Sequence, residues 1–128
     1  MSRREIRERI FQTLFCIEFH QKEELDEQLL YQPEEDEGED AVYIQNKVQS
    51  AAEKVPEIDE MINKVAKGWK TTRMGKVDLT LIRLAVYEIK FDEDIPTGVA
   101  INEAVELAKK YGTKDSPSFV NGILAKIA

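Results

Sequence analysis

Pro96-Thr-Gly-Val-Ala-Ile-Asn-Glu-Ala-Val-Glu-Leu-Ala-Lys-Lys-Tyr-Gly112, followed closely by Asp115-Ser-Pro-Ser-Phe-Val-Asn-Gly-Ile-Leu124, reads as two helices that carry their own starts and stops. Thr97 is placed to cap the first, and Ile101, Ala104, Val105 and Ala108 form an apolar stripe at helical spacing. Lys109 and Lys110 suit the negative C-terminal end, and Gly112 offers a left-handed stop. Ser116 and Pro117 open the second helix, whose stripe is Phe119, Val120, Ile123, Leu124 and Ile127. Asn121-Gly122 falls in mid-helix, where glycine costs about 1 kcal/mol relative to alanine. That cost points either to a close helix crossing or to a surface in use.

Outward from this pair, helical periodicity persists and no strand-like alternation interrupts it, so the expected fold is all-α. Residues 77–89 are apolar almost all round, as befits a central helix, with a polar stripe of Lys76, Thr80, Arg83 and Tyr87. A first helix is predicted over 3–20, with Ile6, Ile10, Leu14 and Ile17 on one face and Phe11, Phe15 and Phe19 on a neighbouring stripe. A short helix over 24–31 follows. Asp40 can cap the next, 41–53, whose Ile44, Val48 and Ala51 point inward, and Pro56 opens another that ends near Gly68. The sum is about seven helices in one compact domain, 1–128, with two helical halves over 1–67 and 76–128.

A chain of 128 residues, 42% hydrophobic, is enough for one core. Cys16 is the only cysteine, so no intramolecular disulfide is possible; its place in a helical apolar pattern predicts a buried, unreactive thiol in a reducing cytoplasm. No apolar run is long enough to span a bilayer, so neither export nor a membrane partner is expected.

The net charge of −7 disfavours nucleic acid at first sight, but its distribution reverses that impression. Residues 23–40 hold 10 of the 25 acidic residues and no Lys or Arg, leaving 18 basic against 15 acidic elsewhere. That segment reads either as a solvated helix and loop or as an electrostatic guard that turns RNA away from one side.

Arg3, Arg4, Arg7 and Arg9 crowd the start of the first helix, where the helix dipole disfavours cations by roughly 0.3 to 1 kcal/mol each at low salt. Glu5 and Glu8 offset part of this. Arg4 and Arg7 share a flank with Phe11 and Phe15, a pairing that suits phosphate contacts and stacking on unpaired bases; the alternative is a frayed, solvated terminus. At the start of the last helix, Asp115, Ser116 and Phe119 form a second candidate site. Free backbone N–H groups there can receive a phosphate, although Pro117 contributes none; the alternative is capping by Asp115 or Ser116 and core burial of Phe119.

The segment 96–124, together with Gly75-Lys76-Val77-Asp78 and Leu81-Ile82-Arg83-Leu84-Ala85-Val86-Tyr87-Glu88, resembles the C-terminal signature of the NusB family of bacterial transcription antitermination factors. The resemblance covers roughly 3–20 and 68–128, and is much less specific between them. It implies that Arg3, Arg4 and Arg7 bind the boxA element of nascent RNA, with Asp115, Ser116 and Phe119 on the RNA-facing side. It also implies a protein partner, NusE, a small-subunit ribosomal protein, contacted through positions matching Phe15, Asp78 and Arg83. Phe15 departs from relatives that carry Tyr, so no hydroxyl is offered there. RNA polymerase with other Nus factors completes the implied assembly. Read on their own, Asp78 is a helix-start charge and Arg83 a solvated stripe residue.

Chemistry of other kinds finds little support. His20 is the only histidine, no His/Cys cluster has metal-ligand spacing, and no glycine-rich phosphate loop is present. The acidic run lacks an apolar pocket to raise a carboxyl pKa. No catalysis, metal or cofactor is expected. The rival readings are an RNA-positioning domain like that joined to ribosomal RNA methyltransferases, a helical protein-interaction module without RNA, and a small chorismate-mutase-like enzyme. The first is disfavoured by the lack of a downstream cofactor-binding glycine motif, and the last because the basic residues mostly fall off the apolar stripes.

Overall fold

The computed structural model describes residues 1–19 and 38–128. Among these, six α-helices and one 3₁₀ turn are found and no strand: α1 (Arg3–Glu18), α2 (Gly38–Glu53), α3 (Val55–Val65), the 3₁₀ turn Thr71–Arg73, α4 (Lys76–Phe91), α5 (Thr97–Tyr111) and α6 (Ser116–Ile127). The all-α expectation is met. The helix predicted over 24–31, His20 and most of the acidic segment lie outside the described residues.

The chain divides into two units, Met1–Ala52 and Glu53–Ala128. The sequence pattern puts the division after α3, whereas the packing groups α3 with the helices that follow it. In the N-terminal unit α1 begins at a cap that the sequence reading passes over. Ser2 Oγ accepts a hydrogen bond from the Glu5 N–H at 3.1 Å, the first half of a Ser-x-x-Glu capping box. Ile10, Phe11, Leu14 and Phe15 are buried, but Ile17 is exposed and Cys16 only half-buried, contrary to expectation. In α2, Ile44, Val48 and Ala51 are buried as predicted. Asp40 lies inside the first turn and is not its cap; its carboxylate instead meets the Met1 ammonium at 3.2 Å.

The C-terminal unit is built around α4, which packs on α3, α5 and α6. Leu81, Ile82, Leu84, Ala85 and Val86 are almost wholly buried. Large apolar side chains of this kind contribute about 1.5 to 3 kcal/mol each when fully buried. The polar stripe predicted for α4 is not an exposed face. Thr80 is buried and donates its hydroxyl to the Lys76 carbonyl at 2.8 Å, Tyr87 is buried, and Arg83 is half-buried. A buried threonine hydroxyl needs such a partner, and the preceding turn supplies it.

On α5 the buried line is Ala100, Ala104, Leu107 and Ala108, with Ile101 and Val105 only half-buried. The stripe is thus rotated from the predicted one: Ala104 and Ala108 stay buried, and Ala100 and Leu107 take the inward places expected of Ile101 and Val105. Pro96, not Thr97, occupies the cap position. Gly112 is not a left-handed stop, since its φ of −93° is accessible to any residue. Its glycine answers a packing need: a Cβ there would fall 2.5 Å from Ser116 Cβ and against Ser116 Oγ.

Candidate nucleic-acid interface

α1 presents its first arginines unequally. Arg3 and Arg4 are exposed, Arg9 is half-buried, and Arg7 is buried at 9% exposure. Phe11 and Phe15, predicted to continue the basic patch as an aromatic surface, are 0% and 5% exposed. They run along α1 as tilted ring pairs, Phe11 to Phe15 at 6.3 Å and Phe15 to Phe19 at 5.2 Å. The stripe is therefore core, and the surface part of this patch is the pair Arg3 and Arg4. Helical periodicity locates a stripe but does not say which of two adjacent flanks is covered.

At the start of α6 the outcome runs the other way. Asp115 is exposed at the cap position and makes no side-chain capping bond. Ser116 is buried, and its Oγ accepts the Thr113 N–H at 2.9 Å, so its hydroxyl is spent on the turn and not offered to a ligand. Phe119, which the periodicity assigns to the core, is only half-buried. Its ring meets Trp69 edge-on, with centroids 5.9 Å apart and planes at 71°. Trp69 is itself 59% exposed, and sequence reasoning overlooked it. The signal was available, since a lone tryptophan lies among lysines in a Gly-containing connector.

That connector is firmly built. The Trp69 N–H donates to the Ala66 carbonyl at 3.0 Å, and Gly68 adopts φ +81°, a conformation that favours glycine. Asn63 then clamps the following turn: its Oδ1 accepts the Thr71 N–H at 2.8 Å and its Nδ2 donates to Thr71 Oγ1 at 3.3 Å. Ala66 and Thr71 are buried on either side of the tryptophan. Its exposure follows from two anchored flanks.

The residues expected to meet a protein partner divide as well. Asp78 is half-exposed in the first turn of α4, where a carboxylate suits the helix dipole. Phe15 is buried. Arg83 forks onto Asp59 of α3, Nε to Oδ1 at 2.8 Å and Nη2 to Oδ2 at 2.7 Å. Its side chain is 13% exposed and that of Asp59 23%, so Arg83 is not the solvated residue its stripe position suggests. Asn121 and Gly122 are exposed on α6, and a Cβ on Gly122 would meet nothing within 4 Å. Close crossing therefore does not explain that glycine. Among the described residues, no group of three or more His, Cys, Asp and Glu could hold a metal ion, and no helix is long and apolar enough to cross a membrane.

Comparison with known proteins gives a consistent result. The sequence model of the NusB family matches residues 4–128. The transcription antitermination protein NusB of Agathobacter rectalis is 54% identical over 134 residues, spanning 100% of both chains. The solved structure of T. maritima NusB superposes with a TM-score of 0.84 at 36% identity, over 100% of this chain and 91% of that one. A chain from the crystal structure of the antitermination factors NusB and NusE in complex with double-stranded RNA superposes with a TM-score of 0.71 at 26% identity, covering 99% and 97%.

Proposed function

The chain belongs to the NusB family, and from that premise we propose that it is a transcription antitermination factor that binds boxA-type RNA together with NusE. The observation that carries the RNA reading is the aromatic surface at the start of α6: Phe119 is left half-exposed beside Trp69, with Asp115 exposed at the same helix end. Burying Phe119 would be the default for an apolar residue in this pattern, so its exposure marks a place where a base or another ring is to be received. Arg3 and Arg4 supply phosphate contacts on the N-terminal unit. Arg7, largely buried, orients that helix start, and Ser116 shapes the turn that presents Asp115 and Phe119.

NusE enters through the structure of the relative in which NusB and NusE are seen with RNA. Asp78 is the direct contact. Phe15 and Arg83 act by holding α1 and α4 in shape. Action is by binding within the RNA polymerase antitermination complex, in the cytoplasm; no bond is made or broken. Titration of fluorescently labelled boxA RNA in the presence of NusE tests this: tight binding that a scrambled RNA does not match supports it, and equal weak binding of both RNAs refutes it. Asp78→Lys should lower NusE affinity measured by calorimetry, since a desolvated like-charge contact costs several kcal/mol.

A further inference from the structure

The connector from α3 to α4 and its flanks carry a regular run of positive charge. Residues 61–77 contain Lys64, Lys67, Lys70, Arg73 and Lys76, one every third position, and no acidic residue, in a chain of net charge −7. All five are exposed. Lys64 meets Glu60 of its own helix at 3.8 Å, a contact between two well-solvated side chains and so of little energetic weight. Trp69 stands at the centre of this run.

We propose that Trp69 is a base-stacking platform for single-stranded RNA, and that Lys67, Lys70 and Arg73 track the phosphates on either side of the stacked base. Three observations carry this together. A tryptophan that is 59% exposed forgoes much of the burial energy of the largest side chain, although its neighbours Ala66 and Thr71 are buried and could anchor a shorter, polar residue equally well. The bond from the Trp69 backbone N–H to the Ala66 carbonyl and the Asn63 clamp on Thr71 hold the backbone on both sides of Trp69, so little backbone ordering entropy remains to be lost on binding. The edge-on contact with Phe119 leaves open ring faces that a parallel stack would cover, which offers two adjacent aromatic surfaces to unpaired bases. Cations spaced along a chain that also displays an aromatic ring are the arrangement by which single strands are held without a strict demand on sequence.

This inference rests on the RNA-binding reading, and the experiment separates the two. Trp69 is the only tryptophan, so its emission reports on this site alone. Titrating the full chain with a boxA-type single-stranded RNA should quench that emission in step with binding followed by anisotropy of the labelled RNA. Trp69→Ala should weaken RNA binding roughly 5- to 150-fold, the range for loss of one base stack, while Trp69→Phe keeps most of the affinity. The combined Lys67→Gln, Lys70→Gln and Arg73→Gln variant should lower the magnitude of the log–log salt slope by roughly 0.7 per lost phosphate contact. Unaltered circular dichroism in both ring variants keeps a folding defect apart from a binding one. If RNA binds but Trp69 emission and the Trp69→Ala affinity do not move, the platform is wrong and the RNA reading stands. If the wild-type chain binds no RNA with or without NusE, both fall. Loss of NusE affinity in Trp69→Ala with RNA affinity unchanged would assign the surface to protein and overturn the proposal.

Discussion

Arg83 of α4 and Asp59 of α3 are joined by two parallel hydrogen bonds, at 2.8 and 2.7 Å, in a fork that holds the two helices at a fixed register. Lysine cannot reproduce this geometry, because a single ammonium does not present two coplanar donors. Arg83→Lys and Arg83→Ala should both lower stability, the alanine by about 1.5 to 3 kcal/mol, the range for hydrogen bonds to charged groups. Urea unfolding measures this. The swap Asp59→Arg with Arg83→Asp should recover part of the loss, and no loss in Arg83→Ala would show that the fork is incidental.

Gly112→Ala should destabilise by about 1 to 3 kcal/mol, as overpacking of a tight site does. The new methyl would press on Ser116 and on the Ala108 carbonyl, 2.9 Å away, and neither is the free end of a flexible chain. Ser116→Ala, which removes the acceptor of the Thr113 N–H and the hydroxyl contact with Thr113 Oγ1 at 3.3 Å, should cost less, about 0.5 to 1.5 kcal/mol. Thermal unfolding of the two variants gives the order directly; a harmless Gly112→Ala would contradict the close approach.

These two sites also show what the sequence makes legible and what it hides. The cores of α2, α4 and α6 follow from apolar spacing, since Ile44 and Val48, Ile82 and Val86, and Val120 and Leu124 repeat at helical intervals and are buried. A glycine after a helix invites a left-handed reading, yet Gly112 answers to Ser116, and such a contact has no local signature. The Arg83–Asp59 fork spans 24 positions and is likewise invisible to periodicity. Of the candidate site, Arg3, Arg4 and Asp115 lie exposed where the pattern put them, while Phe11, Phe15 and Arg7 turn inward and Phe119 turns outward. An amphipathic pattern fixes the stripe but not the flank, and only packing decides the residues at its margin. The Ser2-x-x-Glu5 box and the basic run around Trp69, by contrast, are local signals that the sequence carries in full.

Gly122→Ala should raise stability by about 0.5 to 1 kcal/mol, because the helix gains a better former and the added methyl meets nothing within 4 Å. A shift of the urea midpoint to higher concentration with unchanged slope is the expected result. If stability falls, the helix at that position is not open as described.

Replacing Arg3 and Arg4 together with Ala should weaken RNA binding and reduce the magnitude of its salt slope by roughly 0.7 per lost contact. Both are exposed, so stability should change little. Arg7→Ala differs in kind: at 9% exposure its loss should lower stability as well. Salt titrations paired with thermal unfolding distinguish the two effects, and an unchanged slope in the double variant would remove these arginines from the interface.

The central claim is that one helical scaffold holds RNA and NusE at once, and the coupling between the two ligands measures it. Binding of labelled boxA RNA should be compared without NusE and with NusE at saturation, and binding of NusE with and without RNA. Linkage requires one factor in both directions, typically 5- to 150-fold, or about 1 to 3 kcal/mol. A reciprocal increase of that order is the predicted result. Equal RNA affinity with and without saturating NusE would contradict the scaffold account, even if each ligand binds on its own.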